Sequence, residues 1–318
     1  MKQVLVTGAS GFLGSEICRL SIAAGWRVCT FDQCDDVRVN GIEKYVGDLS
    51  DLTLLRKACE GVSAVVHAAG LAHVFGPEAK DYARFNAVNV TGTANVIDAA
   101  VHADVPHVVL VSSVSVYGSY PGTKCDESIS CRPEGPYATS KWQAELKAID
   151  RMARGHGSLT ILRFATIYGE GDRGNVAKLI GVLDRGHFIW PGSGQNQKSL
   201  IYKQDAARAC VNTIDCTISG TGIYNVSSQP ATMRDIVSTI CQALGRPIPR
   251  LGIPEAFLKT AAAISLSLGD PGQLGKKMQK FTHDDVYDGS KFETTFNFAP
   301  AVSLAEGIRR EVNSLRRR

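Results

Sequence analysis

Residues 4–14 constrain this chain more than any other stretch. The apolar run Val4-Leu5-Val6-Thr7 passes directly into Gly8-Ala9-Ser10-Gly11-Phe12-Leu13-Gly14 and then into a helical pattern through Ala24. Strand, glycine turn and helix in that order predict a βα unit whose turn takes a pyrophosphate. Gly8 would make the tight turn, Gly11 would let the backbone approach the phosphates, and Gly14 would let helix and strand pack closely. Phe12 and Leu13 lead into a helix amino terminus that would face the negative charge. Three glycines also suit a merely flexible turn, but their place between two clear elements favours a dinucleotide.

The next elements repeat the pattern. Strand 27–31 ends at Asp32, 18 residues after Gly14. A carboxylate there accepts hydrogen bonds from ribose hydroxyls and repels a 2′-phosphate, so NAD is expected rather than NADP. Arg38 stands close enough in sequence to complicate that preference. Asp48-Leu49 follow a third apolar segment. Asp48 either faces the adenine amino group or belongs to the start of a helix over 52–59 that Ser50 or Asp51 would cap. Strand 62–67 leads to Ala68-Ala69-Gly70, small residues against which a cofactor can lie. His67 is expected to be packed or hydrogen-bonded, because no second ligand stands at a metal-like spacing, and no metal site is expected. His73 is expected in a loop near the site's mouth. Residues 85–93 are expected to open a long helix to His102, with Asn89 seeking backbone partners from its interior. The alternation of strand and helix through Val111 predicts a doubly wound parallel sheet.

Val108-Val109-Leu110-Val111 ends in Ser112-Ser113, and Tyr137 and Lys141 follow four residues apart. On a helix they share one face. An ammonium beside a phenol favours the phenolate, lowering a pKa of about 10 toward the range of a general acid and base. The Ser113 hydroxyl can donate to the oxygen that the phenol serves. A packed tyrosine and a solvated lysine would show the same spacing; the nucleotide loop upstream is what favours catalysis.

With these residues placed, the chain resembles the extended short-chain dehydrogenase/reductase family, in its nucleotide-sugar epimerase/dehydratase branch. The resemblance runs through residues 7–14, Asp48-Leu49, His67 to Gly70, Asn89 to Thr93, Ser112 to Gly118, Tyr137 to Lys141 and Leu162 to Gly169, in family order. It implies a Rossmann-type doubly wound sheet with a smaller, mostly C-terminal substrate lobe. It also implies NAD as cofactor, held by the glycine loop, Asp32, Asp48, Leu49, Ala68, Ala69, Gly70, Asn89, Tyr137 and Lys141. Ser113, Tyr137 and Lys141 would be the catalytic residues. Relatives that dehydrate or decarboxylate usually carry an acid between the serine and Val-Tyr-Gly, where this chain has Val114 and Ser115. Those reactions are therefore demoted, and oxidation followed by re-reduction, or a single reduction, is preferred.

The organisation expected is a nucleotide domain over 1–170, completed by segments around 200–230, with 171–199 and 231–318 forming the substrate lobe. Residues 117–136 read as a turn-rich loop over the substrate side, with Glu127 solvated or touching a sugar hydroxyl. Asn175 reads as the cap of a helix over 176–185 and, by the resemblance, as a contact to a sugar-nucleotide diphosphate. Lys198 and Arg208 are candidates for the same diphosphate, as point-charge and bidentate donors; the alternative is surface cations. Pro247, Pro249 and Pro254 precede an apolar helix over 255–268, and Phe281, Tyr287, Phe292 and Phe296 are expected in the core of the lobe.

Composition removes other classes. With 44% hydrophobic and 21% charged residues the chain is an ordinary folded protein. Three of the charges behind its net +4 are Arg316-Arg317-Arg318, so no nucleic-acid partner is inferred. Nine cysteines without a C-x-x-C pair fit a reducing cytoplasm. A strand beginning at Gln3 argues against a signal peptide, and no apolar run is long enough to insert across a membrane. A homodimer is expected, with 95–102 and 142–152 as its candidate helices. The leading expectation is a UDP-sugar 4-epimerase that retains NAD. The alternative is an NAD(H)-dependent 4-keto-sugar reductase or another alcohol dehydrogenase, including one acting on a sterol-like substrate. A non-catalytic NAD-binding subunit is disfavoured by the intact Ser113, Tyr137 and Lys141.

Overall fold

Strand β1 (Gln3–Thr7) divides its side chains between two cores, as a strand buried on both faces must. In the computed structural model, which describes residues 2–36, 42–72, 78–119, 124–215, 218–253 and 283–317, Val4 and Val6 join one apolar cluster and Leu5 the other. Helix α1 (Gly14–Ala23) follows, then β2 (Arg27–Asp32), β3 (Glu43–Val46), α2 (Leu52–Cys59), β4 (Ala64–His67), α3 (Glu78–Phe85), α4 (Gly92–His102) and β5 (His107–Ser113). Helix α5 (Gly135–Met152), β6 (Ser158–Phe164), β7 (Thr166–Tyr168) and α6 (Asn175–Asp184) lead to β8 (Trp190–Pro191), β9 (Gln197–Lys198) and β10 (Leu200–Tyr202). The chain continues through α7 (Lys203–Ile214), β11 (Thr221–Val226), β12 (Ala231–Thr232), α8 (Met233–Leu244), β13 (Gly252–Ile253), α9 (Ser290–Phe296) and α10 (Leu304–Arg316).

The main sheet has seven parallel strands in the order β11-β6-β5-β4-β1-β2-β3. This is the doubly wound parallel sheet expected. Side chains of α1 and α7 pack on one face, those of α2, α4 and α5 on the other. Fully burying one Val, Leu or Ile contributes roughly 1.5–3 kcal/mol, so these two layers hold the fold. The strand order reverses between β1 and β4, which opens a crevice at their carboxyl ends. A separate cluster joins α6, α8 and α10 through Ile180, Leu183, Ile236, Val237, Ile240, Ile308 and Val312, with Phe188 and Trp190 closing it.

Several local expectations change. The helix read from 85 to 102 begins at Glu78 and is interrupted by a π-helical turn over Asn86–Thr91. Asp51 caps α2, accepting from Leu54 N at 2.9 Å, so Asp48 is not needed for that task. Asn175 is not the cap of α6; Asp172, three residues earlier, accepts from Gly174 N and Ala177 N. Phe292 is buried, but in the sheet core beside α1 and α7 rather than in the core of the lobe, and Phe296 packs against it. The expected helix over 255–268, and Phe281, Arg38 and His73, lie outside the described residues. All eight described cysteines are free.

Candidate active site

The glycine turn closes on the strand across the crevice. Gly8 has φ +69°, and a Cβ there would lie 2.6 Å from Ala69 Cα, so only glycine fits. At Gly14 a Cβ would lie 2.0 Å from Gly8 O, which packs the start of α1 against the turn. Gly11 N donates to Gly8 O at 3.0 Å, so that amide is spent inside the turn. Helix α1 carries no side-chain cap, and its N-cap is Leu13. Its amino terminus, reached through Phe12 and Leu13, turns the positive end of the helix dipole to the crevice, an arrangement that suits an anion.

Asp32, at the end of β2, faces the same turn. Its carboxylate accepts from Ser10 N and Ser10 Oγ, each at 2.8 Å, and from Gln33 N at 2.7 Å. The expected ribose carboxylate and the phosphate turn are therefore neighbours. Asp48 is exposed and accepts from Ser50 N at 2.9 Å and Gln33 Nε2 at 2.6 Å. Hydrogen bonds from Ser50, then Gln33, hold it below the usual carboxylate range. Leu49 is buried, and its carbonyl accepts from Asn95 Nδ2. These residues fit a dinucleotide: a tight turn, an uncapped helix start, and a carboxylate beside both.

The floor continues along β4. His67 is buried between Thr7 Oγ1 at 2.7 Å and Thr93 Oγ1 at 2.9 Å. Burial, then the neighbouring Lys141, pushes it down to about 3, so the ring is neutral. That matches the packed, hydrogen-bonded histidine expected. Past it, Ala69 N donates to Thr7 Oγ1. A Cβ on Gly70 would lie 3.2 Å from Asn89 Oδ1 and 3.3 Å from Lys141 Nζ, so this glycine lets three elements converge. Asn89, set in the π-helical turn, accepts from Leu71 N and donates to Leu71 O and Ser140 Oγ. It pins the segment after β4 to α5 with backbone bonds of the kind its position implied.

Ser113 ends β5, and Tyr137 and Lys141 share a face of α5. Ser113 Oγ accepts from Ser115 N at 3.2 Å and lies near enough to the Tyr137 phenol to act on its ionisation. Phe85 meets the Tyr137 ring edge-on at 5.9 Å. Burial pushes the phenol above its ordinary value, and the Ser113 side chain draws it back. Lys141 Nζ is aimed at Val111 O, 3.0 Å away, and burial pushes it down to about 8 against the pull of Glu145.

One set of residues went unread in the sequence. Glu145, one turn beyond Lys141, is fully buried and bound by Arg163, with Nη2–Oε2 at 2.7 Å and Nε–Oε1 at 3.1 Å. Ser112 Oγ donates to the same carboxylate. Arg163 Nη1 also donates to Tyr117 OH, which donates to Asn225 Oδ1 at 2.8 Å. The spacing of Glu145 from Lys141 was the available signal; its arginine, on another strand, was not. Glu127 is half-buried, and its Oε1 accepts from Asn225 N at 2.6 Å, on the free side of β11.

The three expected diphosphate residues stand on different elements, Asn175 on α6, Lys198 on β9 and Arg208 on α7. Lys198 Nζ pairs with Asp285 Oδ2 at 2.5 Å and donates to His283 O. Arg208 pairs with Asp205 Oδ1 at 2.6 Å, donates to Ala299 O and lies over the Phe298 ring. Asp205 in turn accepts from Ala301 N and Val302 N, so both charges fasten chain segments. Asn175 stands exposed at the start of α6. Among the described residues no group of His, Cys, Asp and Glu could hold a metal, and no helix is long and apolar enough to cross a membrane.

Comparison with known proteins follows this geometry. The family model described as the NAD dependent epimerase/dehydratase family matches residues 4–227. The N-acetyl-alpha-D-glucosaminyl-diphospho-ditrans,octacis-undecaprenol 4-epimerase of Escherichia coli O157:H7 is 32% identical, over 96% of this chain and 93% of its own. The 2-alkyl-3-oxoalkanoate reductase of Stenotrophomonas maltophilia (strain K279a) is 29% identical, over 97% and 98%. Among solved structures, MoeE5 in complex with UDP-glucose and NAD superposes with a TM-score of 0.79 at 27% identity, covering 99% of both chains.

Proposed function

The chain belongs to the NAD-dependent epimerase/dehydratase family, and from that premise we propose that it inverts C4 of a sugar diphosphate, first of all a UDP-sugar, with Tyr137 as acid and base. The observation that carries the reading is the meeting of the end of β5 with the Tyr137 and Lys141 face of α5, where Lys141 Nζ donates to Val111 O at 3.0 Å two residues before Ser113, with no acid between Ser113 and Val116. Val114 and Ser115 occupy the intervening positions, and Glu145 is bound by Arg163 and Ser112. A site so equipped moves one proton on one oxygen, which suits alcohol–ketone interconversion and not dehydration.

The chemistry NAD supplies when bound is reversible hydride acceptance. The chain's own residues do the rest. Tyr137 takes the proton of the 4-hydroxyl as C4 becomes a carbonyl and returns it when the alcohol reforms. Ser113 donates to the same oxygen, most strongly as alkoxide charge develops. The α1 amino terminus and Asp32 hold the dinucleotide, and Lys141, a depressed lysine in reach of Gly70 and Asn89, orients its inner ribose. The lobe of α6, α8 and α10 receives the sugar diphosphate. Asn175 contacts the diphosphate there, whereas Lys198 and Arg208 serve their carboxylate partners. A sugar diphosphate is common to the substrate named for the Escherichia coli relative and to the UDP-glucose held by MoeE5, so the carrier is either uridine or a lipid.

The second reading, an NAD(H)-dependent reductase, is favoured by the Stenotrophomonas reductase, which aligns along nearly its full length. One experiment separates them. The protein is incubated with NAD and UDP-glucose, UDP-galactose or their N-acetylated forms, while sugar configuration and nicotinamide absorbance are followed together. Interconverted sugars with no net absorbance change are expected. Stoichiometric production or consumption of NADH would replace epimerase by dehydrogenase or reductase.

A further inference from the structure

Nine large apolar side chains stand exposed among the described residues, and four of them, Ile189, Ile248, Leu251 and Ile253, fall at one end of the lobe. Strands β8 and β13 form a parallel ribbon in which Gly252 lies opposite Trp190 and Ile253 opposite Pro191. Trp190 N donates to Leu251 O at 2.9 Å. Alternation along a strand puts Leu251 and Ile253 on one face, with Ile189 across from Leu251, while Trp190 turns inward to the lobe core. Leu251 is 75% exposed and Ile189 50%. A lone exposed leucine needs no explanation, but a contiguous aliphatic row does.

The rim of this row is basic. Residues 185–191 and 245–253 contain Arg185, His187, Arg246 and Arg250 and no acid. The one carboxylate at the border, Asp184, meets Arg246 at 3.5 Å. Beyond Ile253 the chain enters residues 254–282, which lie outside the described residues and carry four lysines against two acids. The row also stands in a useful place. It follows the carboxyl end of α6, whereas Asn175 marks the amino end, and ten residues of helix span about 15 Å.

Resting on the sugar-diphosphate reading above, we propose that this ribbon face sits on the headgroup layer of an anionic phospholipid membrane, and that the site takes its sugar diphosphate from a lipid carrier there. Aliphatic side chains enter the headgroup and acyl boundary while arginines stay with the phosphates. The carrier's chain remains in the membrane while its diphosphate reaches along α6 to the site.

The test uses the full chain with NAD, sedimented with vesicles of equimolar phosphatidylglycerol and phosphatidylethanolamine, and with pure phosphatidylcholine vesicles. Binding to the anionic vesicles is expected, weakened by salt and by the neutral lipid. The double variant Leu251→Ser/Ile253→Ser should keep its melting temperature and NAD affinity but lose at least ~10-fold in vesicle binding, the scale of one aliphatic side chain returned to water. Wild-type protein that stays in solution, or a double variant that binds as well, overturns the proposal. So does gel filtration showing a wild-type dimer that the double variant splits, because the row would then face a second copy. The two readings fail separately. Turnover of UDP-sugars without vesicle binding removes the membrane alone, and salt-sensitive vesicle binding without turnover of any sugar diphosphate removes the epimerase alone.

Discussion

Burial pushes the Tyr137 phenol above its ordinary value and the Ser113 side chain draws it back, so under the proposed acid and base role the two residues together would set where in pH activity rises. A hydrogen bond to a phenolate lowers its pKa; removing it raises the pKa and moves the rise of activity to higher pH. Ser113→Ala is therefore expected to shift the kcat–pH profile upward while leaving NAD affinity unchanged. Tyr137→Phe keeps the ring against Phe85 and should cost at least ~10² in turnover with the fold intact. Near wild-type turnover in that variant would remove Tyr137 from the chemistry. Ser113, Tyr137 and Lys141 could be nominated from the sequence because their spacing stands downstream of the glycine turn; the spacing alone would not have singled them out. The partners of the cations were not legible. Lys198 finds its carboxylate 87 residues away in sequence, beyond any local pattern, whereas Asp205 stood only three residues before Arg208 and was passed over. Asn175 was misread as a cap because a cap was sought at the helix start, and Asp172 reaches it from three residues upstream.

Strands and most helices were plain in the apolar periods, but the turns between them carry the function. The π-helical turn over Asn86–Thr91 widens a helix that looks continuous in sequence, and that widening holds Asn89 against Leu71 and Ser140. A single wide turn leaves the surrounding apolar period nearly unchanged, so no sequence signal marks it. Helix α10 carries a different burden. Its Glu311 is buried, and burial, with Asp172 and Glu170 nearby, pushes the carboxyl up to about 8 against Gly169 N and Lys203. Its folded value lies above its unfolded one, so the stability this group contributes is full below about 4.5 and is lost as pH rises through about 8. Thermal melts at pH 5 and pH 9 should show the wild type losing more stability across this range than Glu311→Gln, with roughly 2–4 °C for each kcal/mol. Parallel curves for the two proteins would mean that the carboxyl does not titrate in the fold.

Across the molecule, the Glu145–Arg163 pair ties α5 to β6, with Ser112 bringing in β5 and Tyr117 reaching Asn225 on β11. Removing one member leaves a buried charge alone, so Arg163→Met should destabilise by about 3–5 kcal/mol in denaturant unfolding. The double variant Arg163→Met/Glu145→Leu should recover part of that loss, since no charge then remains to be buried; a double variant as weak as the sum of both singles would refute the pairing argument. A doubly wound parallel sheet could be read from strand–helix alternation, yet nothing in the alternation tells how its last strand is finished. Strand β11 is an outer strand, and its exposed polar backbone does not stand bare. Asn225 N–H is held by the Glu127 carboxylate, and Ile223 C=O by Lys291 Nζ at 2.8 Å. An outer strand with its donors and acceptors already answered offers no template for another chain to add to. Another copy extending the sheet on that side would first have to displace both the Glu127 carboxylate and the Lys291 ammonium.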